Sequence, residues 1–312
     1  MLGVSAPAGL ADRMTEAAPE RRRPKGAPSP PSVRTVAAIG VREDHEYLES
    51  CLLHLLSQGV DYALIDNGMS AASKALLRRP VYAAGLVGVW TQPFNGVFEL
   101  ERQLDLKEEI FAGVEADWLV HLDVDEMMQS PVEGERLAEA FARVDAAGYT
   151  VIDFDEFIFL PIDAPYRPGA AEQPMLSYYY FNPSQGPRLM RARKKSAGLS
   201  TTPPQREFHA GGHRLFGDAL RVSPEAFIQR HYLVRDAAHG RRKYTDRAYS
   251  PAELERGWHA NRVGYAPDAF TLPAPHLLKR LPHAASRAFD RSDARTTHFW
   301  QWAERPDRRT HS

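Results

Sequence analysis

From Val33 onward, apolar and polar positions follow two alternating periods. "VRTVAAIGV" (33–41) reads as a strand. "EYLESCLLHLLSQG" (46–59) reads as a helix, with Leu48, Cys51, Leu52, Leu55 and Leu56 on one face and Gly59 as its stop. "DYALID" is a short second strand, after which "NGMSAAS" turns into a helix from about Ala71. "LVGVW" is a third strand, and Phe98 to Gly113 a long helix with Leu100, Leu104 and Phe111 near one side. "WLVHLD" is a fourth strand, Glu133 to Gly148 a further helix and "YTVIDFDEFIFL" a fifth strand. Strand–helix alternation with tight connections predicts βαβ units, hence an α/β fold with a mainly parallel sheet and helices on both faces. In such sheets ligands gather at the carboxyl ends of the strands.

After about Leu160 the alternation fades. Pro161, Pro165, Pro168, Pro174, Pro183 and Pro187 break up a loop-rich half containing the aromatic run "SYYYF" and the basic cluster "RLMRARKK". Nine of the twelve histidines follow residue 200, which suits a substrate-facing half. Residues 1–32, rich in Ala, Pro and Ser around "ERRRPK", lack apolar periodicity and are expected to be a disordered tail. The expected domain is 33–290, with a first half at 33–160, a substrate-facing half at 161–290 and a tail from 291 to 312.

Composition narrows the function classes. With Lys+Arg 39 against Asp+Glu 40, the net charge of −1 does not favour non-specific nucleic-acid binding. The single cysteine, Cys51, excludes an intrachain disulfide, fits a reducing compartment and reads as a small buried hydrophobe. No apolar run reaches the ~18 residues of a membrane span, and no basic segment followed by an apolar one opens the chain. A cytoplasmic protein is expected, with peripheral association at the inner face of a membrane left open.

The candidate chemistry sits at strand ends. Strand one ends in "GVREDHE", strand two in "DNGMS" and strand four in "DVDE", and a parallel sheet sets these ends side by side. Carboxylates at the tip of a buried strand repel one another and lose hydration, so Asp123, Asp125 and Glu126 call for a compensating charge. Mg²⁺ or Mn²⁺ takes carboxylate and phosphate oxygens and would supply it. Asp66 emerges from "ALI" into a tight Asn67–Gly68 turn, where it suits either a heterocycle N–H or an Asx-turn. Asp-x-Asp alone is a weak signal, since Asp153 and Asp155 match it within a strand.

Several segments in order, "VREDHEYLESCLLHLLSQGVDYALIDNGMSAAS", "RQLDLKEEIFAGVEADWLVHLDVDEMM", "GYTVIDFDEFIFLP", "GGHRLF", "RHYLVRD" and "RRKYTDRAY", resemble family 2 glycosyltransferases of the GT-A fold. They are most similar to a bacterial subgroup with a DxDEF-like motif. The resemblance spans residues 34–260 and departs at Met127, where the subgroup often has Phe, and at "VREDHE", where the family often has Asn-Glu. It implies metal-dependent transfer of a sugar from a nucleotide-sugar, a UDP-sugar being the expectation, to a glycan or lipid-linked acceptor.

By resemblance, Asp66 would bind the base and the backbone near Ile39 and Val41 the nucleoside, with Glu43 and Lys107 in the same donor-binding set. Asp123 would face the ribose or metal, Asp125 would coordinate the ion, His213 and His231 would add a contact to metal or diphosphate, and Lys243 would neutralise the diphosphate. The acceptor's proton needs a carboxylate base, and Asp155 ranks first, followed by Glu156 and Glu126. Asp155 and Glu156 point to opposite faces of a regular strand, so at most one fits.

Three other readings compete. A nucleotidyltransferase would carry a Gly-rich basic loop after strand one, and "GVREDHE" has one glycine and three acids. A phosphoryl-transfer aspartate of the DxDx[TV] kind usually follows the first strand. A non-catalytic nucleotide- or sugar-binding protein on a degenerate scaffold is opposed by the intact Asp123-x-Asp125-Glu126.

Overall fold

A computed structural model describes residues 33–43, 45–173, 176–183, 189–197, 215–217, 219–283 and 286–302. The tail 1–32 and His213 lie outside them. The first half follows the periodic pattern closely. Strand β1 (Thr35–Val41) leads to helix α1 (His45–Gln58), which stops at Gly59 with φ of 72°. Strand β2 (Asp61–Asp66) is followed by α2 (Ala71–Leu77), the short α3 (Pro80–Ala83) and strand β3 (Leu86–Thr91). Helix α4 (Leu100–Gly113) then leads into β4 (Trp118–Asp123). After a tight turn come β5 (Glu126–Gln129), α5 (Leu137–Ala146) and β6 (Val151–Phe159).

Strand β1 pairs in parallel with both β2 and β4, and β2 with β3, so the ends of β1, β2 and β4 share one edge. Alternation along β1 explains the layers. Ala37, Ile39 and Val41 pack with α1 and α5, while Val36 and Ala38 pack with Leu104, Ile110 and Phe111 of α4 on the other face.

The second half adds short strands: β7 (Tyr178–Phe181), β8 (Leu189–Lys194), β9 (Phe227–His231) and β10 (Lys279–Arg280). Helices α6 (Ala237–Thr245) and α7 (Pro251–Glu255) lie between the last two. The aromatic run "SYYYF" is therefore largely strand, consistent with aromatic side chains fitting a pleated, half-buried surface. The basic cluster is also strand, and β8 inserts antiparallel between β4 and β6. The fifth predicted strand thus does not adjoin the fourth. Strand β9 runs parallel to β6 and antiparallel to β5, which brings His231 opposite Glu126 and Ile158. No helix among the described residues is long and apolar enough to cross a membrane.

Candidate active site

A cavity of about 540 Å³ opens at the shared edge of β1, β2 and β4. Gly40, Arg42 and Asn67 contribute from the first two strand ends, Asp123, Val124 and Asp125 from the turn after β4, and Glu156 and His231 from β6 and β9. The opposite wall is built from Phe98, Leu100 and Gln103 at the start of α4 and from residues 257–262. At Gly40 a Cβ would fall 2.1 Å from Gln103 Nε2, so only glycine lets this side chain lie across the strand end.

The Asp-x-Asp-Glu turn divides its acids between two roles. Glu126 is fully buried. Its Oε2 accepts from Arg191 Nη1 at 2.6 Å and from the Asp123 amide at 2.9 Å, and its Oε1 accepts from Gln229 Nε2 at 2.9 Å. Burial pushes the Glu126 carboxyl up to about 7 against the pull of Arg191, and the charge of Asp123 adds to the rise. Glu126 therefore braces the turn from behind and does not line the cavity.

Asp123 and Asp125 face the cavity. The Asp123 side chain is 45% exposed, with Lys107 Nζ 3.5 Å from one oxygen and Arg191 Nη1 3.9 Å from the other. Burial opposes its charge, but Lys107 and Arg191 hold its carboxyl below the ordinary carboxylate range. Lys107 is itself fully buried on α4 and donates to the Leu122 carbonyl at 2.9 Å; burial lowers its ammonium despite the nearby Asp123. Asp125 Oδ2 receives Lys243 Nζ at 2.5 Å and lies 3.4 Å from His231 Nε2. Burial again opposes the charge, and Lys243 and His231 more than offset it, placing Asp125 well below the usual range. His231 Nδ1 lies 2.6 Å from Glu156 Oε1. Burial disfavours the imidazolium, yet Asp125 and Glu156 raise His231 well above its ordinary value.

The other predicted residues fall as follows. Ile39 and Val41 are buried core residues whose strand puts Gly40, between them, on the cavity. Glu43 is exposed and off the cavity wall. Asp66 closes a turn: its Oδ1 accepts from the Gly68 and Met69 amides at 3.0 and 2.7 Å, and its Oδ2 pairs with Lys74 at 2.9 Å. Asn67, rather than Asp66, lines the cavity. Asp155 projects away from the cavity, where Arg291 Nε holds it at 2.6 Å, whereas Glu156 on the opposite face of β6 enters it.

The sequence reading missed Arg191 as a partner of Glu126, Gln229 as its second brace, and the cavity residues Arg247, His259 and Arg262. Arg191 was visible only as part of a basic cluster. The segment from 291 onward, expected as a tail, contributes Thr296, His298 and Gln301 to the wall.

A divalent ion is what the resemblance implies here, and the donors fit one. Among the described residues, Asp125 Oδ1 receives no hydrogen bond and Asp123 is approached by cations at 3.5 and 3.9 Å, so both keep oxygens for a ligand on the cavity side. Among the described residues, Glu126, Glu156 and His231 also bring ligand atoms within 4.8 Å of one another. Carboxylate oxygens with one imidazole suit Mn²⁺ or Mg²⁺.

No protein-family model matches the sequence, and no curated protein does. Among solved structures, the chain is similar to a mannosyltransferase from Pyrobaculum calidifontis, PcManGT, in complex with GDP-Man and Mn²⁺. The identity is 13% and the TM-score 0.40, over 78% of this chain and 73% of that one. It is also similar to S. aureus TarS, with 11% identity and a TM-score of 0.38, over 64% of this chain. The match spans 37% of the longer TarS chain and 60% of a shorter one. Likenesses of this size carry no weight for chemistry, which rests on the residues themselves.

Proposed function

We propose that the chain is a glycosyltransferase of GT-A type that moves a sugar from a nucleoside-diphosphate donor, a UDP-sugar in the first instance, to a hydroxyl of a glycan or lipid-linked acceptor. The observation that carries this reading is the pairing of Asp123 and Asp125 on the cavity wall with cations immediately behind them. Lys107 and Arg191 compensate Asp123, and Lys243 compensates Asp125. Acids so balanced keep free oxygens for a metal ion or donor hydroxyls while a diphosphate approaches.

Asp123, Asp125 and, as the neutral imidazole with its extra proton released on binding, His231 would hold a Mn²⁺ or Mg²⁺ ion, which when bound neutralises the donor's diphosphate. Lys243 adds a cation of the protein's own beside that position. The reaction forms a bond from the acceptor oxygen to the anomeric carbon and breaks the bond from that carbon to the diphosphate. The acceptor proton passes to a carboxylate, and we assign that role to Glu156 in place of Asp155. Glu156 is on the cavity wall and hydrogen-bonded to His231, whereas Asp155 is engaged by Arg291 off the cavity. A single displacement of this kind inverts the anomeric centre.

A second reading has a specific support. The close grouping of Glu126, Glu156 and His231 would make Glu156 a metal ligand and not the base. A thermal-shift panel of nucleotide-sugars with and without Mn²⁺ tests the main proposal. We expect one UDP-sugar to protect the protein and Mn²⁺ to enlarge the effect. No protection by any nucleotide-sugar, with or without the ion, contradicts it.

A further inference from the structure

Among the described residues, two guanidinium groups on the cavity wall have no carboxylate partner. Arg191 pairs with Glu126 and Lys243 with Asp125, but no acidic side chain of the described residues forms an ion pair with Arg247 or Arg262. Each is half-buried and rests on an aromatic ring: Arg247 4.9 Å from the centre of Phe98, and Arg262 5.7 Å from that of Tyr244. Arg262 lines the same cavity as Asp123 and Asp125. The aromatic face offsets part of the hydration that a half-buried guanidinium loses, but it supplies no acceptor for the five N–H donors.

The surrounding structure fixes Arg262 in this position. His259, at the start of its turn, adopts left-handed backbone (φ 60°, ψ 8°), an arrangement costing about 1 kcal/mol for a residue with a Cβ. The His259 carbonyl accepts from the Arg262 amide at 2.8 Å. The His259 ring meets buried Glu253 through Nε2 at 2.9 Å and stacks on Tyr249 with centroids 4.6 Å apart. The Tyr249 hydroxyl is buried and has no hydrogen-bond partner among the described residues.

We propose that Arg247 and Arg262 form a seat for an anionic group of a substrate, a phosphate or a carboxylate, distinct from the Asp123–Asp125 position. Guanidinium groups match the planar or tetrahedral oxygens of such groups through forked hydrogen bonds, and both of these open on the same cavity. Two sources fit that chemistry: the donor's diphosphate and an acidic group on the acceptor. The seat deepens the transferase reading by naming the charge of its substrate, but anion binding does not itself require transfer.

The test is isothermal titration of the full chain with inorganic pyrophosphate, UDP and glucuronate. The wild type is compared with R247Q, R262Q, the double variant, and R280Q as an exposed control. We expect pyrophosphate affinity to fall at least tenfold in the double variant and to weaken with salt in the wild type, with R280Q unchanged. R247K and R262K, which keep the charge and lose the fork, should lie between, and thermal melts identify any variant that fails to fold. A parallel loss for UDP assigns the seat to the donor. Unchanged UDP binding with weakened glucuronate or pyrophosphate binding assigns it to an acidic acceptor. If folded double or lysine variants bind all three ligands like wild type, the proposal is wrong. Intact pyrophosphate binding without any donor turnover would count against the transferase reading alone.

Discussion

Lys243 Nζ lies 2.5 Å from Asp125 Oδ2, joining α6 to the turn after β4 across 118 residues of sequence. Both side chains are largely buried, at 13% and 8% exposure, and Lys243 is the principal charge compensation of Asp125. Removing one partner of such a pair leaves the other charge stranded, at a cost of about 2–4 kcal/mol. K243M should lower stability by that order in urea unfolding. Mn²⁺ should restore part of it, because the freed carboxylate gains an ion. Equal stability of K243M and wild type would show that Asp125 is adequately solvated by the cavity.

Glu126 and Arg191 form the deeper pair. Both are buried, and two further donors complete the Glu126 shell. R191M should destabilise by about 3–5 kcal/mol, and E126Q by less, since the amide can still accept from the Asp123 N–H. Denaturant midpoints at constant m-value measure both. An R191M variant as stable as wild type would remove the bracing role assigned to Glu126.

Glu156 separates the two readings of the acid cluster. If it is the base, E156Q should lose at least a hundredfold in turnover while Mn²⁺ binding, read by paramagnetic resonance, stays within about threefold of wild type. Loss of ion binding together with turnover would make Glu156 a ligand. D155N, off the cavity, should keep turnover within about threefold.

His239 gives the fold an acid-sensitive point. Burial is the main force lowering it to about 3, and the charges of Lys243 and Arg235 add to it. The neutral ring accepts from the Arg235 amide at 3.3 Å. Between about 3 and the unfolded value near 6.5 the unfolded chain binds the extra proton. The stabilising contribution is therefore full above 6.5 and declines as pH falls towards 3. At pH 4.5 this group should cost roughly 2 kcal/mol relative to pH 7. Comparison of wild type and H239Q in urea at the two pH values should show a shallower loss in the variant. Identical slopes would contradict the assignment.

The first half of the fold was readable because each element buries a face with its own period. Strand β2 appears at Asp61–Asp66 as predicted, and α1 ends at Gly59. Strand β8 was hidden because its arginines look like surface charge. The buried Arg191 is received by Glu126, 65 residues away, and such a long-range compensation leaves no local pattern. Strand β5 is four residues long and follows an acidic turn, too short for a periodic signal. The choice between Asp155 and Glu156 depended on which face of β6 meets the cavity, and that register is set by β7, β8 and β9. At Asp66 the residue's position at the strand end was legible. Its engagement by two turn amides and Lys74 was one of two alternatives that the local sequence allowed.

The central claim is that Asp123 and Asp125 seat the donor and its ion. Its most direct test is hydrolysis of a UDP-sugar without acceptor, followed as UDP release, by wild type and D125A with Mn²⁺ or with EDTA. The account predicts slow Mn²⁺-dependent release by wild type, falling at least a hundredfold in D125A and in EDTA. Release that is unchanged by D125A, or that proceeds equally in EDTA, would contradict it.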